Sequence, residues 1–250
     1  MAKKQSEFSR TATFAWSPGQ QAPLLASGTA AGALDDSFSN ASVLELFKLD
    51  LTHSGGQTTE PVGKINSNAR FNKLAWGAVS TNNPYGIIAG GLENGSLSLW
   101  NPSHILDGKS EEESLILNNT THTGQIRGLD FNRFQSNLLA SAGSNNEIYI
   151  WDLTKPDTPY SPGAKSSKLE DITSVGWNGQ VQHILATSSS TGHTVVWDLR
   201  NRREVMTLSA PISGGINTGH RSISSVVWHP DNVSFLFFFL KKRIFFLFYL

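Results

Sequence analysis

Apolar positions in this chain fall into short runs of three kinds, and the three recur in a fixed order. The first run alternates and ends in Trp or Phe; the second is small-residue, of the Leu-Ala-Ser-Gly kind. The third is apolar and ends in Trp-Asp or a variant. One copy runs through Phe14-Ala15-Trp16-Ser17-Pro18, Leu24-Leu25-Ala26-Ser27-Gly28 and Val43-Leu44-Glu45-Leu46-Phe47. A second has Leu74-Ala75-Trp76, Ile87-Ile88-Ala89-Gly90-Gly91 and Leu97-Ser98-Leu99-Trp100-Asn101. The third joins Ile126–Phe131, Leu138–Gly143 and Ile148-Tyr149-Ile150-Trp151-Asp152. The fourth joins Ile172–Trp177, Ile184–Ser188 and Thr194-Val195-Val196-Trp197-Asp198, and a fifth opens at Ile223–Trp228, followed by His229-Pro230.

These runs predict strands. Ile-Tyr-Ile-Trp and Val-Val-Trp are β-branched and aromatic, too short for a helix and bounded by turn residues. Asn94-Gly95 predicts a hairpin turn with both central residues at positive φ. Small residues such as Ala140, Ser141 and Ala142 leave room for the large closing aromatics of neighbouring strands. First-run aromatics stand at 16, 76, 131, 177 and 228, in steps of 60, 55, 46 and 51. WD-repeat blades span about 40–45 residues, so these are blades with lengthened loops. The chain therefore reads as all-β, a WD-repeat β-propeller with about four repeats and one further strand, spanning 1–232. Each blade stacks on its neighbours because it cannot bury both faces alone. An immunoglobulin-like sandwich also alternates short strands, but it does not predict a repeating Trp-Asp terminus.

Candidate chemistry changes little. The chain shows no G-x-S-x-G elbow, no H-E-x-x-H and no phosphate loop. Gly214 to Gly219 has phosphate-loop spacing, but His220 follows where Lys is needed. His122 and His220 each precede a first strand. In WD repeats such a histidine bonds a Ser or Thr of the second strand, which reaches the closing indole. The matching set here is His122, Ser141 and Trp151, read as a tie within a blade rather than a general base. Asp152 and Asp198 are turn residues whose carboxylates cap backbone N–H groups. Glu111-Glu112-Glu113 reads as a solvated charge run in a loop. The expected blade residues are Trp16, Trp76, Trp100, His122, Ser141, Trp151, Asp152, Trp177, Trp197, Asp198 and Trp228. No catalytic residue, cofactor, metal site or small-molecule substrate is expected.

Composition narrows the partners. The 20 acidic residues balance 20 basic ones, three of which, Lys241, Lys242 and Arg243, lie in the tail. No basic stripe of the kind nucleic acid requires is visible. Cysteine is absent, which removes disulfides and thiolate zinc sites. The first sixteen residues carry no apolar signal region, so a cytoplasmic protein is expected.

The tail is a different substance. Of the 16 residues from Phe235 to Leu250, 7 are Phe, half of the 14 in the chain. A spanning helix needs about 20 apolar residues, and Lys241-Lys242-Arg243 interrupts this run, though an interfacial anchor would tolerate them. Val233-Ser234 can be encoded by GT-N-AG-T, the form of a splice donor, and Phe and Leu codons are pyrimidine-rich like intron sequence. Residues 233–250 therefore read as translated intron in place of further blades.

Beyond generic repeats, Glu7-Phe8-Ser9-Arg10-Thr11-Ala12-Thr13-Phe14-Ala15-Trp16 resembles the N-terminus of the large outer-coat subunit of the COPII vesicle coat. Leu24–Thr29 with Gly32, Asp35 and Phe38-Ser39 is similar too, as are Gly95-Ser96-Leu97 with Trp100, Leu138–Ser141 with Glu147–Asp152, and Val226–Pro230. The resemblance covers about residues 5–232. It departs at Phe47, where a Trp would close the first repeat, and after Asn232. It implies a seven-bladed propeller at the cage vertices and a scaffold role in budding from the endoplasmic reticulum. Implied partners are the smaller outer-coat propeller, the inner coat and its small GTPase, mostly through regions beyond this chain. The implied location is cytoplasmic, peripheral on vesicles and endoplasmic reticulum exit sites. The alternative is a substrate receptor of a cullin-type ubiquitin ligase, because Trp197-Asp198-Leu199-Arg200 resembles the Trp-Asp-x-Arg signature of such propellers.

Overall fold

The computed structural model describes residues 11–19, 22–31, 42–49, 60–80, 83–209, 222–232, 234–240 and 243–248. Glu7–Arg10, Gly32, Asp35, Phe38-Ser39, Gly214–Gly219, His220 and Lys241-Lys242 lie outside the described residues. The chain forms two compact units, Met1–Thr120 and Thr121–Leu250.

Unit one holds two four-stranded antiparallel meanders. β1 (Ala12–Trp16), β2 (Leu24–Thr29), β3 (Ser42–Lys48) and β4 (Gly63–Ser67) pair in chain order. So do β5 (Phe71–Gly77), β6 (Ile87–Leu92), β7 (Leu97–Trp100) and β8 (Leu115–Asn119), with helices α1 (Pro102–Leu106) and α2 (Glu111–Ser114) before the last strand. The core between the sheets joins Leu24, Leu44, Leu46 and Ile65 to Phe71, Leu74, Trp76, Ile88 and Trp100.

Phe71 sits where the later first strands carry Ile, and its larger ring needs space. Two glycines supply it. A Cβ on Gly28 would lie 2.7 Å from the Phe71 ring, and one on Gly90 would lie 2.7 Å from Trp100 and 2.8 Å from Phe71. The Phe71 and Trp100 rings stack at a tilt, 5.7 Å apart.

Unit two holds three meanders. The first is β9 (Ile126–Phe131), β10 (Leu138–Gly143) and β11 (Glu147–Asp152). The next is β12 (Ile172–Trp177), β13 (Ile184–Ser189), β14 (His193–Asp198) and β15 (Arg203–Ser209). The last is β16 (Ile223–Trp228), β17 (Phe235–Leu240) and β18 (Arg243–Phe248). In the first of these a single residue stands in for a fourth strand: Tyr160 bridges Ile150 through hydrogen bonds of 2.8 and 3.0 Å. Ala140, Ile148 and Ile150 pack against Val175, Trp177, Leu185 and Trp197, and the opposite face of that sheet packs Ala186 and Val196 on Val226, Trp228 and Leu236.

Register repeats with the motif. Phe47, Trp100, Trp151 and Trp197 each oppose the second residue of a small-residue strand or its equivalent, namely Leu25, Ile88, Leu139 and Leu185. The tail keeps this count: Leu236 pairs with Trp228 as Leu185 pairs with Trp177. It is strand, not helix. Among the described residues no helix is long and apolar enough to cross a membrane.

Two local expectations need correction. At Asn94-Gly95 only Gly95 takes positive φ (88°), and Leu92 N–H donates to Ser96 O, closing a three-residue loop. Asn94 instead accepts from the Ser96 N–H (3.0 Å), so Gly alone supplies the left-handed position. Paired positive φ values occur at Asn145 (62°) and Asn146 (54°), in the β10–β11 turn. Glu111-Glu112-Glu113 forms a helical turn, not a loop, because Ser110 and Glu113 make a capping box.

Candidate functional site

The most heavily tied cluster lies in unit two. β10 presents Ser141 inward and β11 presents Trp151 beside it. The Trp151 indole N–H donates to Ser141 Oγ at 2.7 Å, and His122 Nε2 lies 2.6 Å from the same oxygen. His122 Nδ1 lies 3.3 Å from a Glu147 carboxylate oxygen, without the geometry of a hydrogen bond. With the imidazole proton on Nδ1, facing that carboxylate, the Ser141 hydroxyl accepts from the indole and donates to Nε2. Glu147 also accepts from the Thr123 N–H and hydroxyl, both at 2.8 Å. Burial pushes the His122 imidazole down to about 4, against a smaller upward pull from Glu147. Tyr149 packs edge-on against the ring, 4.7 Å between centroids.

Serine, histidine and carboxylate in sequence is the order of an acyl-transfer triad. Ser141 is 0% exposed, His122 5% and Glu147 6%. The hydroxyl a substrate would have to meet is held between an indole and an imidazole. What this arrangement does is fix a turn and two strands.

The role of Glu147 is not announced by the repeat pattern. Its only signal in the sequence is a charged residue opening an apolar strand, where burial requires a partner.

The other repeats vary the same theme. In the fourth, Trp197 donates to Thr187 Oγ1 at 2.9 Å, and Thr187 occupies the position of Ser141. In the second, Gly90 takes that position and the Phe71 ring fills the space. In the first, Ser27 faces a repeat closed by Phe47, whose ring has no N–H to give.

First-strand tryptophans do different work. Trp177 Nε1 donates to Asp130 O and Trp228 Nε1 to Gly176 O, both at 3.0 Å. Asp130 and Gly176 each precede the terminal aromatic of the preceding first strand, so one directional bond recurs from sheet to sheet. Trp76 departs from this, donating to Tyr85 O at 2.6 Å in the loop between β5 and β6. Trp16 is 48% exposed and Phe14 61%.

The two aspartates hold turns. Asp152 accepts from Asn137 (2.8 Å) and from the Thr154 hydroxyl (2.7 Å) and N–H (3.0 Å), which holds its carboxyl below the usual range. Burial pulls Asp198 upward, yet bonds from the Arg200 N–H (2.9 Å) and Asn201 (2.8 Å) leave it lowered as well. The Arg200 side chain is 66% exposed, with Nε 3.6 Å from Asp198.

Stacked antiparallel meanders tied by their tryptophans define a WD-repeat β-propeller. The family model for the WD domain, G-beta repeat, matches residues 114–152. Over most of its length the chain is similar to the Sec31 protein transport proteins. It is 51% identical to the protein transport protein SEC31 of Mycosarcoma maydis over 89% of this chain, and 44% identical to that of Emericella nidulans over 90%. It spans 17% of the length of each. Among solved structures it resembles a chain of the COPII outer coat vertex on membranes, at 36% identity and TM-score 0.75, covering 92% of this chain and 57% of that one. The ubiquitin-ligase reading of Arg200 finds no support in these relatives.

Proposed function

We propose that this chain is a propeller segment of a COPII outer-coat scaffold, acting in transport from the endoplasmic reticulum to the Golgi by binding other coat subunits rather than by catalysis. The observation that carries this is the 51% identity to a SEC31 protein together with the likeness to an outer coat vertex. The proposed location is the cytoplasmic face of vesicles and endoplasmic reticulum exit sites. In the test, residues 11–232 replace the matching segment of the Mycosarcoma maydis protein in cells that depend on it. Secretory cargo leaving the endoplasmic reticulum at the normal rate supports the proposal. Cargo accumulating there, with the chimaera present at normal abundance, defeats it.

Within that role, the β1 face bearing Phe14 and Trp16 receives a further blade. Supporting this, the equivalent pairs Val175/Trp177 and Val226/Trp228 are buried against the preceding sheet. Residues 233–250 are, in this proposal, translated intron. In favour, β17 sets Phe237, Phe238 and Phe239 at positions where β13 carries Ala186, Thr187 and Ser188, the small residues that make room for a closing aromatic.

A further inference from the structure

Three Ser/Thr-Pro steps fall among the described residues, Ser17-Pro18, Thr158-Pro159 and Ser161-Pro162, and the structure treats them differently. Ser17 Oγ accepts the Leu24 N–H at 2.9 Å, which ties it to the start of β2. Ser161 Oγ donates to Gly163 O at 2.7 Å, and Pro162 beside it is buried. The Thr158 hydroxyl takes part in none of the described hydrogen bonds and its side chain is exposed.

The segment around Thr158 is an arch pinned at both feet. At one foot Asp152 holds Thr154 through two bonds and Lys155 N–H donates to Asp152 O at 2.8 Å. At the other, Tyr160 is bridged to Ile150. Residues 154–160 between them are exposed or half-buried throughout. Pro159 restricts Thr158 to extended backbone and offers no N–H of its own. An exposed, extended Thr followed by Pro, on a pre-ordered arch, is what a kinase selecting proline after its acceptor needs.

We infer that Thr158 is a phosphoacceptor site for a proline-directed protein kinase using ATP. Thr158 Oγ1 attacks the γ-phosphorus, the bond to the β-phosphate oxygen breaks, ADP leaves, and the hydroxyl proton passes to the kinase's base. The product places a phosphate dianion on the arch beside the exposed Lys155, whose carbonyl the Thr158 N–H faces.

The test treats the full folded chain with a proline-directed kinase and ATP and maps the phosphate by mass spectrometry. Synthetic peptides spanning 11–23 and 152–168 serve as the unfolded comparison. In the peptides all three sites should be labelled at similar rates. In the folded chain Thr158 should be labelled at its peptide rate, with Ser17 and Ser161 slower by about tenfold because a hydrogen bond must open first. Thr158→Ala should remove the rapid labelling and Thr158→Ser restore it. Equal labelling of all three sites in the folded chain overturns the proposal. So does a Thr158 that is labelled only in the peptide, or in neither.

Discussion

Trp151 and Ser141 are joined by a 2.7 Å hydrogen bond in which the indole donates, and the hydroxyl it reaches is shared with His122 at 2.6 Å. Replacing Ser141 with Ala leaves a buried indole N–H and a buried imidazole nitrogen without that partner. The expected loss is about 2–3 kcal/mol of stability, since unmade buried bonds cost more than made ones contribute. Urea denaturation followed by tryptophan fluorescence measures it, and a change below about 0.5 kcal/mol would rule out the tie.

The same cluster gives a pH dependence. His122 titrates at about 4 in the folded chain against 6.5 unexposed to these effects, so the folded state binds fewer protons between those values. Stability from this residue is complete above pH 6.5 and declines as pH falls toward 4. Denaturation midpoints at pH 7.5, 6 and 5 should fall more steeply in the wild-type chain than in His122→Gln. Parallel slopes would show that His122 is not the titrating group.

Gly90→Ala in unit one forces a methyl group against Phe71 and Trp100 and should cost about 1–3 kcal/mol. Phe71→Leu removes the ring atoms that methyl meets, so the double variant should lose less than the sum of the two single changes. A thermodynamic cycle on the four proteins reads this coupling directly. Strict additivity would mean that the two residues do not compete for space.

The tryptophans that link sheets should differ from the exposed one. Trp177→Phe keeps most of the apolar area but deletes the bond to Asp130 O, for an expected loss of about 1 kcal/mol. Trp16→Phe should stay within about 0.5 kcal/mol, the range of an ordinary surface change. Equal losses at the two positions would contradict the sheet-to-sheet role.

For the tail, sequencing the transcript across codons 228–240 is decisive. Translated intron predicts an abundant spliced message lacking the tail. Message that is only unspliced would count against it.

Much of this was legible because a blade writes itself locally. The alternating first strand, the small second strand and the Trp-closed third strand are properties of neighbouring residues, and the register followed from them. Ser141 and Trp151 could be matched because their residue types fit each other. Contacts set by distant residues were not legible. Nothing local to Phe71 announces that Gly28 and Gly90 surround it, and nothing in Trp76 shows that its indole turns to Tyr85. Turn chemistry misled at Asn94-Gly95, where Asn bonds its neighbour's N–H instead of entering left-handed backbone. The fourth edge of the β9–β11 sheet was invisible because one residue, Tyr160, stands in for a strand.

The indole bonds of Trp177 and Trp228 also bear on how such a molecule responds to force. Sheets that meet face to face through apolar side chains can slide past one another with little change in contact area. A hydrogen bond anchored to a backbone carbonyl cannot follow such a slide; it has to rupture. In unit two such directional bonds, Trp177 to Asp130 O and Trp228 to Gly176 O among them, give the contact between neighbouring sheets a rupture threshold that apolar contact alone lacks.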